Sequence, residues 1–150
     1  MALVVTRHWL SVASAARRDT GTHHHRRKQS MTPLRVLVIE DDALLGFMLG
    51  EVLEELGYTV SGIEATQAGA VLASMATRPD LMIVDVRLHS GNGIAAVAEI
   101  CKAGFVPHVF VTGDIAGLQS QCPGAVAIQK PFLEADLVHA IARALAVVPG

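Results

Sequence analysis

Four short apolar runs, each ending on polar or charged residues, constrain this chain more than any other feature. Leu81-Met82-Ile83-Val84 runs into Asp85, Val36-Leu37-Val38-Ile39 into Glu40-Asp41-Asp42, and Val109-Phe110-Val111 into Thr112-Gly113, while Ala125-Val126-Ala127-Ile128 is followed by Gln129-Lys130-Pro131. None alternates apolar with polar residues, so each reads as a strand covered on both faces, as inside a parallel sheet. Helical spacing fills the intervals. An amphipathic helix is expected from about Ala43 to Leu56, with Leu45, Met48, Leu49, Val52, Leu53 and Leu56 on one stripe and Gly57 as its stop. A weaker strand, Thr59 to Gly62, leads to a helix that Thr66 caps and that runs to about Thr77, with Ala70, Leu72, Ala73 and Met75 as core positions. Further helices are expected from Ile94 to Ala103, over the short stretch Asp114 to Gln121, and from Glu134 to Val147, the last burying Leu137, Val138, Ile141 and Leu145. Five strands, each followed by a helix, predict an α/β chain with a doubly wound, five-stranded parallel sheet and right-handed crossovers.

Size and charge narrow the function. A chain of 150 residues, 51% hydrophobic, holds one ordinary domain and fills its core. Residues 1 to 33 carry six bases against Asp19 alone, whereas the remainder carries six bases and thirteen acids. The folded part is therefore acidic, which disfavours sequence-independent binding to nucleic acid. The basic extension, with His23, His24 and His25, lacks a sustained apolar period and is expected to be disordered. Its stretch Ala2 to Arg18 also reads as an Arg-rich targeting helix, but Met31-Thr32-Pro33 leads straight into the first strand, so a misassigned start is the plainer reading. Cys101 and Cys122 form neither a disulfide framework nor a metal-ligand spacing and fit a reducing cytoplasm. No apolar run approaches the length of about 20 residues that a membrane helix needs, so no membrane association is expected.

The strand ends supply the chemistry. In an open α/β sheet, residues at the carboxyl ends of the strands face the crevice where ligands bind. If the first and third strands are neighbours, Glu40, Asp41 and Asp85 converge there, and like charges so close raise one another's pKa. A divalent cation resolves the conflict, and hard oxygen ligands in small number suit Mg²⁺. Lys130 brings a compact cation to the same rim, Thr112 a hydroxyl, and Gly113 a backbone N–H that an oxyanion can approach. Together they suit a phosphoryl group carried on an aspartate.

In order and spacing, the stretches Val36 to Asp42, Asp80 to Asp85, Phe110 to Gly113 and Lys130-Pro131-Phe132 resemble the receiver domain of two-component response regulators, a match covering about Leu34 to Val148. The resemblance implies a flavodoxin-like sheet in the order 2-1-3-4-5. It makes Asp85 the nucleophile that takes a phosphoryl group from a histidine kinase or a histidine phosphotransfer protein. Asp41 would bind Mg²⁺ directly, Glu40 through water, and the backbone carbonyl of Arg87 would complete the protein ligands. Thr112 and Lys130 would hold the phosphoryl oxygens and signal their presence to a downstream protein partner. The expectation is a stand-alone receiver that acts by protein docking or phosphorelay, without catalysing turnover of a substrate.

Three departures from the family pattern set further expectations. Ala127 stands where receivers often carry an aromatic switch residue, which points to an output read through helix 4 and its loop. That departure also keeps open a receiver-like binding module that is never phosphorylated. His89 replaces a common proline, so the loop after the acceptor strand is expected to be less rigid. Arg87 and Asp114 occupy positions that tune hydrolysis, and pairing between them across the mouth would slow dephosphorylation. A phosphatase using an aspartyl-phosphate would want a second Asp where Arg87 stands, which disfavours that enzymatic alternative.

Overall fold

A computed structural model describes residues 32–149. The expected basic extension, the three histidines and the targeting-like stretch, residues 1–31, lie outside the described residues. The first strand, β1 (Arg35–Ile39), enters the interior at once, because Val36 to Ile39 are all buried. Asp42 ends the turn that follows, its carboxylate accepting the N–H groups of Leu44 and Leu45 at 3.0 and 3.1 Å, and so caps α1 (Ala43–Glu55). Gly57 takes φ 95° just beyond that helix, as a left-handed stop requires. Next come β2 (Thr59–Glu64), α2 (Gln67–Thr77), β3 (Leu81–Asp85), α3 (Gly93–Ile100), β4 (His108–Thr112), α4 (Ile115–Gln121), β5 (Ala127–Gln129) and α5 (Glu134–Leu145).

All strand pairs are parallel, and the sheet runs β2-β1-β3-β4-β5. Alternate residues of each strand serve opposite layers, since successive strand side chains point to opposite faces. Val36, Val38, Leu81, Ile83, Val109, Val111 and Ile128 pack with Leu53 of α1 and Leu137, Ala140, Ile141 and Ala144 of α5. Leu37, Ile39, Met82, Val84 and Phe110 pack with Ala70 of α2, Ala96, Val97 and Ile100 of α3, and Leu118 of α4. β3, buried throughout from Leu81 to Asp85, lies at the centre, so its last residue opens at the middle of the sheet's carboxyl edge.

Several element boundaries differ from expectation. β2 extends to Glu64, β5 begins at Ala127, α5 stops at Leu145, and the tail of the third helix tightens into a 3₁₀ turn over Cys101–Ala103. The larger correction concerns α2. Leu72 and Met75 are each 68% exposed, while Ala70 and Ser74 are buried. Gln67 to Thr77 contains no charged residue, so no polar face marks its phase; close packing against α3, β2 and β1 then selects the small side chains. Val138 and Leu145 are likewise exposed, at the flanks of the α5 stripe.

Replacing Leu72 and Met75 together by Gln should shift unfolding free energy by no more than about 0.5 kcal/mol per site. Leu53→Ala, which empties a fully buried position, should cost about 2–5 kcal/mol. Urea denaturation of the variants checks both.

Candidate functional site

Glu40 and Asp85 meet because of strand register. Val36 pairs with Leu81 and Ile39 with Val84, so the next residue on each chain, Glu40 and Asp85, emerges side by side at the same end. Both share the parity of the α1/α5 layer, and both are buried, at 6% and 7% exposure. Asp41 completes the group. One ligand oxygen from each of Glu40, Asp41 and Asp85 lies within 4.8 Å of the others. Lys130, one residue past the end of β5 and at the parity of Ile128, extends its ammonium into this cluster, 2.8 Å from Asp85 Oδ2 and 3.5 Å from Glu40 Oε2.

The remaining contacts hold the carboxylates in place. The Arg87 N–H donates to Asp85 Oδ1 at 3.1 Å, and the Asp42 N–H to Glu40 Oε1 at 3.1 Å. His89 donates its backbone N–H to Asp41 Oδ2 at 2.8 Å, and its ring Nδ1 meets the same oxygen. The loop after Asp85 is held at its far end as well. Gln67 accepts the Asn92 N–H at 3.0 Å, Asn92 caps α3, and a Cβ on Gly93 would overlap the Asp85 carbonyl oxygen, so only glycine lets α3 begin there.

Crowding appears in the titration of the site. Burial, then the charge of Asp85, push Glu40 up to about 7, against the opposing pull of Lys130 and of the Asp42 N–H. Burial works against the charge on Lys130, but its hydrogen bond to Asp85 and the charges of Glu40 and Asp85 outweigh that cost and raise its pKa above the ordinary lysine value. A buried carboxyl that resists ionisation beside two further acids is a site that welcomes a second cation, and its donors are hard oxygens of the kind Mg²⁺ takes.

The structure brings Glu40, Asp41, Asp85 and Lys130 into one cluster, with Arg87 adjoining through its backbone. Its carbonyl accepts no hydrogen bond among the described residues. Thr112, 4% exposed, ends the neighbouring β4 and makes no hydrogen bond to the carboxylates among the described residues; its hydroxyl accepts the Asp114 N–H at 3.0 Å. Gly113 is exposed, with open space where a side chain would stand. Two expectations fail. Asp114 does not pair with Arg87, because its carboxylate turns back to cap α4 on the Gly117 N–H at 2.9 Å, a local bond that competes easily with a pair across solvent. His89 does not loosen its loop but ties it to Asp41. The signal in the sequence was the N–H that a proline would lack.

The family comparison agrees with this geometry. The profile of the response regulator receiver domain matches residues 36–142. The chain belongs to that family, whose members are phosphoacceptor signalling modules of two-component systems. Among curated relatives, the transcriptional regulatory protein PdtaR of Mycobacterium tuberculosis is 34% identical over 117 residues, covering 75% of this chain and 57% of that protein. The chemotaxis protein CheY of Thermotoga maritima is 29% identical over 113 residues, covering 71% of this chain and 93% of that one. The chain thus spans little more than half of PdtaR but nearly all of CheY. Among solved structures, the receiver domain of Erythrobacter litoralis PhyR superposes with a TM-score of 0.70 at 31% identity, covering 75% of this chain and 90% of that one. The receiver domain of the Pseudomonas aeruginosa sensor histidine kinase PA1611, with a magnesium ion coordinated in its active-site cleft, gives 0.67 at 26% identity, covering 77% and 100%. The acidic triad of this chain resembles such a magnesium site. Among the described residues no helix is long and apolar enough to cross a membrane.

The raised Glu40 pKa fixes the sign of a pH effect. The folded state favours the protonated carboxyl, so this group's contribution is most favourable below about pH 4.5 and is lost as pH rises toward 7. Metal-free Glu40→Gln should therefore be more stable than the wild type at pH 7.5, by on the order of 1–3 kcal/mol, with the difference shrinking toward pH 4.5. Thermal or urea unfolding of both proteins in chelator across that range measures it.

Proposed function

We propose that this chain is a receiver, residues 34–148, phosphorylated on Asp85 by a histidine kinase or a histidine phosphotransfer protein, and that it signals through a phosphorylation-dependent protein contact or passes the phosphoryl group on. The observation that carries this reading is the placement of Asp85: the last residue of the central strand, buried, and held by Lys130 on one oxygen and by a backbone N–H on the other. A carboxylate so fixed is presented for in-line attack without searching rotamers. Its oxygen forms the new bond to phosphorus as the phosphorus–nitrogen bond to the donor histidine breaks, and the electron pair of that bond returns to the imidazole.

Glu40, Asp41, Asp85 and the Arg87 carbonyl would hold Mg²⁺. The chemistry a bound ion supplies there is neutralisation of charge on the phosphoryl oxygens. Lys130 already stands at the acceptor carboxylate and is within reach of a phosphoryl oxygen attached to it. Thr112 accepts the Asp114 N–H and so keeps its own proton to donate. Gly113, with open space where a side chain would stand, would offer its N–H to a phosphoryl oxygen without steric hindrance.

Thr112 also supplies the route outward. Its hydroxyl holds the Asp114 N–H, and the Asp114 carboxylate holds the first turn of α4. Drawing Thr112 toward a phosphoryl oxygen disturbs this chain of bonds and the start of α4, so a response does not depend on an aromatic ring at Ala127.

Incubating the protein with a small phosphodonor and Mg²⁺ should give a single phosphate adduct by mass spectrometry on the wild type and none on Asp85→Ala. Lys130→Ala should be labelled about 10²-fold more slowly, the typical loss when one donor to a developing charge is removed. A wild type that binds Mg²⁺ yet takes no phosphate would overturn the phosphoacceptor reading.

A further inference from the structure

One contact at the acidic pocket has no role in phosphoryl transfer as described. His89 sits in the loop between β3 and α3 with its side chain 90% exposed, where an imidazole ordinarily meets only water. Here its backbone N–H donates to Asp41 Oδ2 across 48 residues of sequence, and its ring Nδ1 lies against the same oxygen. Oδ1 of Asp41 accepts no hydrogen bond among the described residues, so the clamp occupies one oxygen and leaves the other open.

We propose that His89 is a positioning residue for the metal site, fixing the Asp41 carboxylate so that its free oxygen is aimed into the pocket before a cation arrives. The inference rests on the reading of Asp41 as a ligand. Its physical basis is general. A carboxylate loses its remaining rotamer freedom when it takes a metal, and donors that restrict it beforehand remove that cost from the binding step. Hydrogen bonds to a ligating carboxylate orient it in the same way. The two contacts act differently: the backbone N–H holds Oδ2 whatever side chain stands at 89, and the ring, lying against that oxygen, keeps the carboxylate from turning away. A proline at 89 would offer neither, and alanine only the first. Asparagine offers both, because its side-chain amide nitrogen lies the same number of bonds from the backbone as Nδ1.

The test is cation binding by the full chain, measured by Mg²⁺ calorimetry and by electron paramagnetic resonance of Mn²⁺. Relative to the wild type, His89→Ala should bind roughly tenfold more weakly and His89→Pro at least as weakly, whereas His89→Asn should stay within about twofold. In metal-free protein, ¹⁵N NMR should find His89 as the Nδ1–H tautomer, and Asp41→Ala should abolish that preference. If the wild type binds no cation, the metal site itself falls and this inference with it. If the wild type binds and His89→Ala binds equally well or more tightly, the inference alone is overturned, the tighter case meaning that the imidazole competes with the cation for Asp41. His89→Asn as weak as His89→Ala would also overturn it, since a donor would then not suffice.

Discussion

Everything at the carboxyl edge of the sheet depends on one ammonium group among three carboxylates. Two like charges about 5 Å apart cost about 3 kcal/mol at an effective dielectric of about 20, and Glu40, Asp41 and Asp85 set up three such pairs. Lys130 makes the arrangement tolerable by touching two of the acids at once. It can do so because β4 sets β3 and β5 in register, Asp85 level with Val111 and Val111 with Ile128, so Lys130 lies just past the same edge. The cluster is still short of positive charge, and Glu40 resists ionisation through its burial first and the neighbouring charge of Asp85 second. The pocket is thus preorganised by an imbalance that a divalent cation corrects.

A related economy appears in the way the loops are fastened. Asp42 and Asp114 each follow a site residue, and each turns its carboxylate into a helix cap. Their charge is thereby kept out of the pocket, although the sequence places them beside it. Glu40-Asp41-Asp42 sets three acids in a row and divides them between two roles. The first two join the acidic cluster with Asp85, and the third starts α1.

The parts of the fold that could be read from sequence were those encoded by single residues or by strict runs. The buried strands are continuous apolar stretches with a charge at the end, and Asp85, Glu40, Asp41 and Lys130 converge as that pattern predicts. The orientation of α2 was not legible, because a helix whose interior is Ala, Gly, Val, Leu, Ser and Met, without a charged residue, has no phase until its neighbours supply one. The roles of His89 and Asp114 were hidden for a different reason. Each is a choice between partners: a nearby carboxylate instead of solvent for His89, and its own helix instead of Arg87 for Asp114. Such choices are settled by distances that spacing does not carry.

The loop that leaves Asp85 returns to it. Seven residues, 86 to 92, separate Asp85 from Gly93, whose Cα lies so close to the Asp85 carbonyl that no side chain fits. Val86 accepts the Gly93 N–H at 3.0 Å and closes the circuit. A closed ring has a fixed circumference. Side chains around it that touch nothing else can change, but an inserted or deleted residue would part Gly93 from Asp85 or drag Asp85 off its strand. Surface loops ordinarily vary in length among relatives; this one is expected to drift in composition while its residue count stays constant.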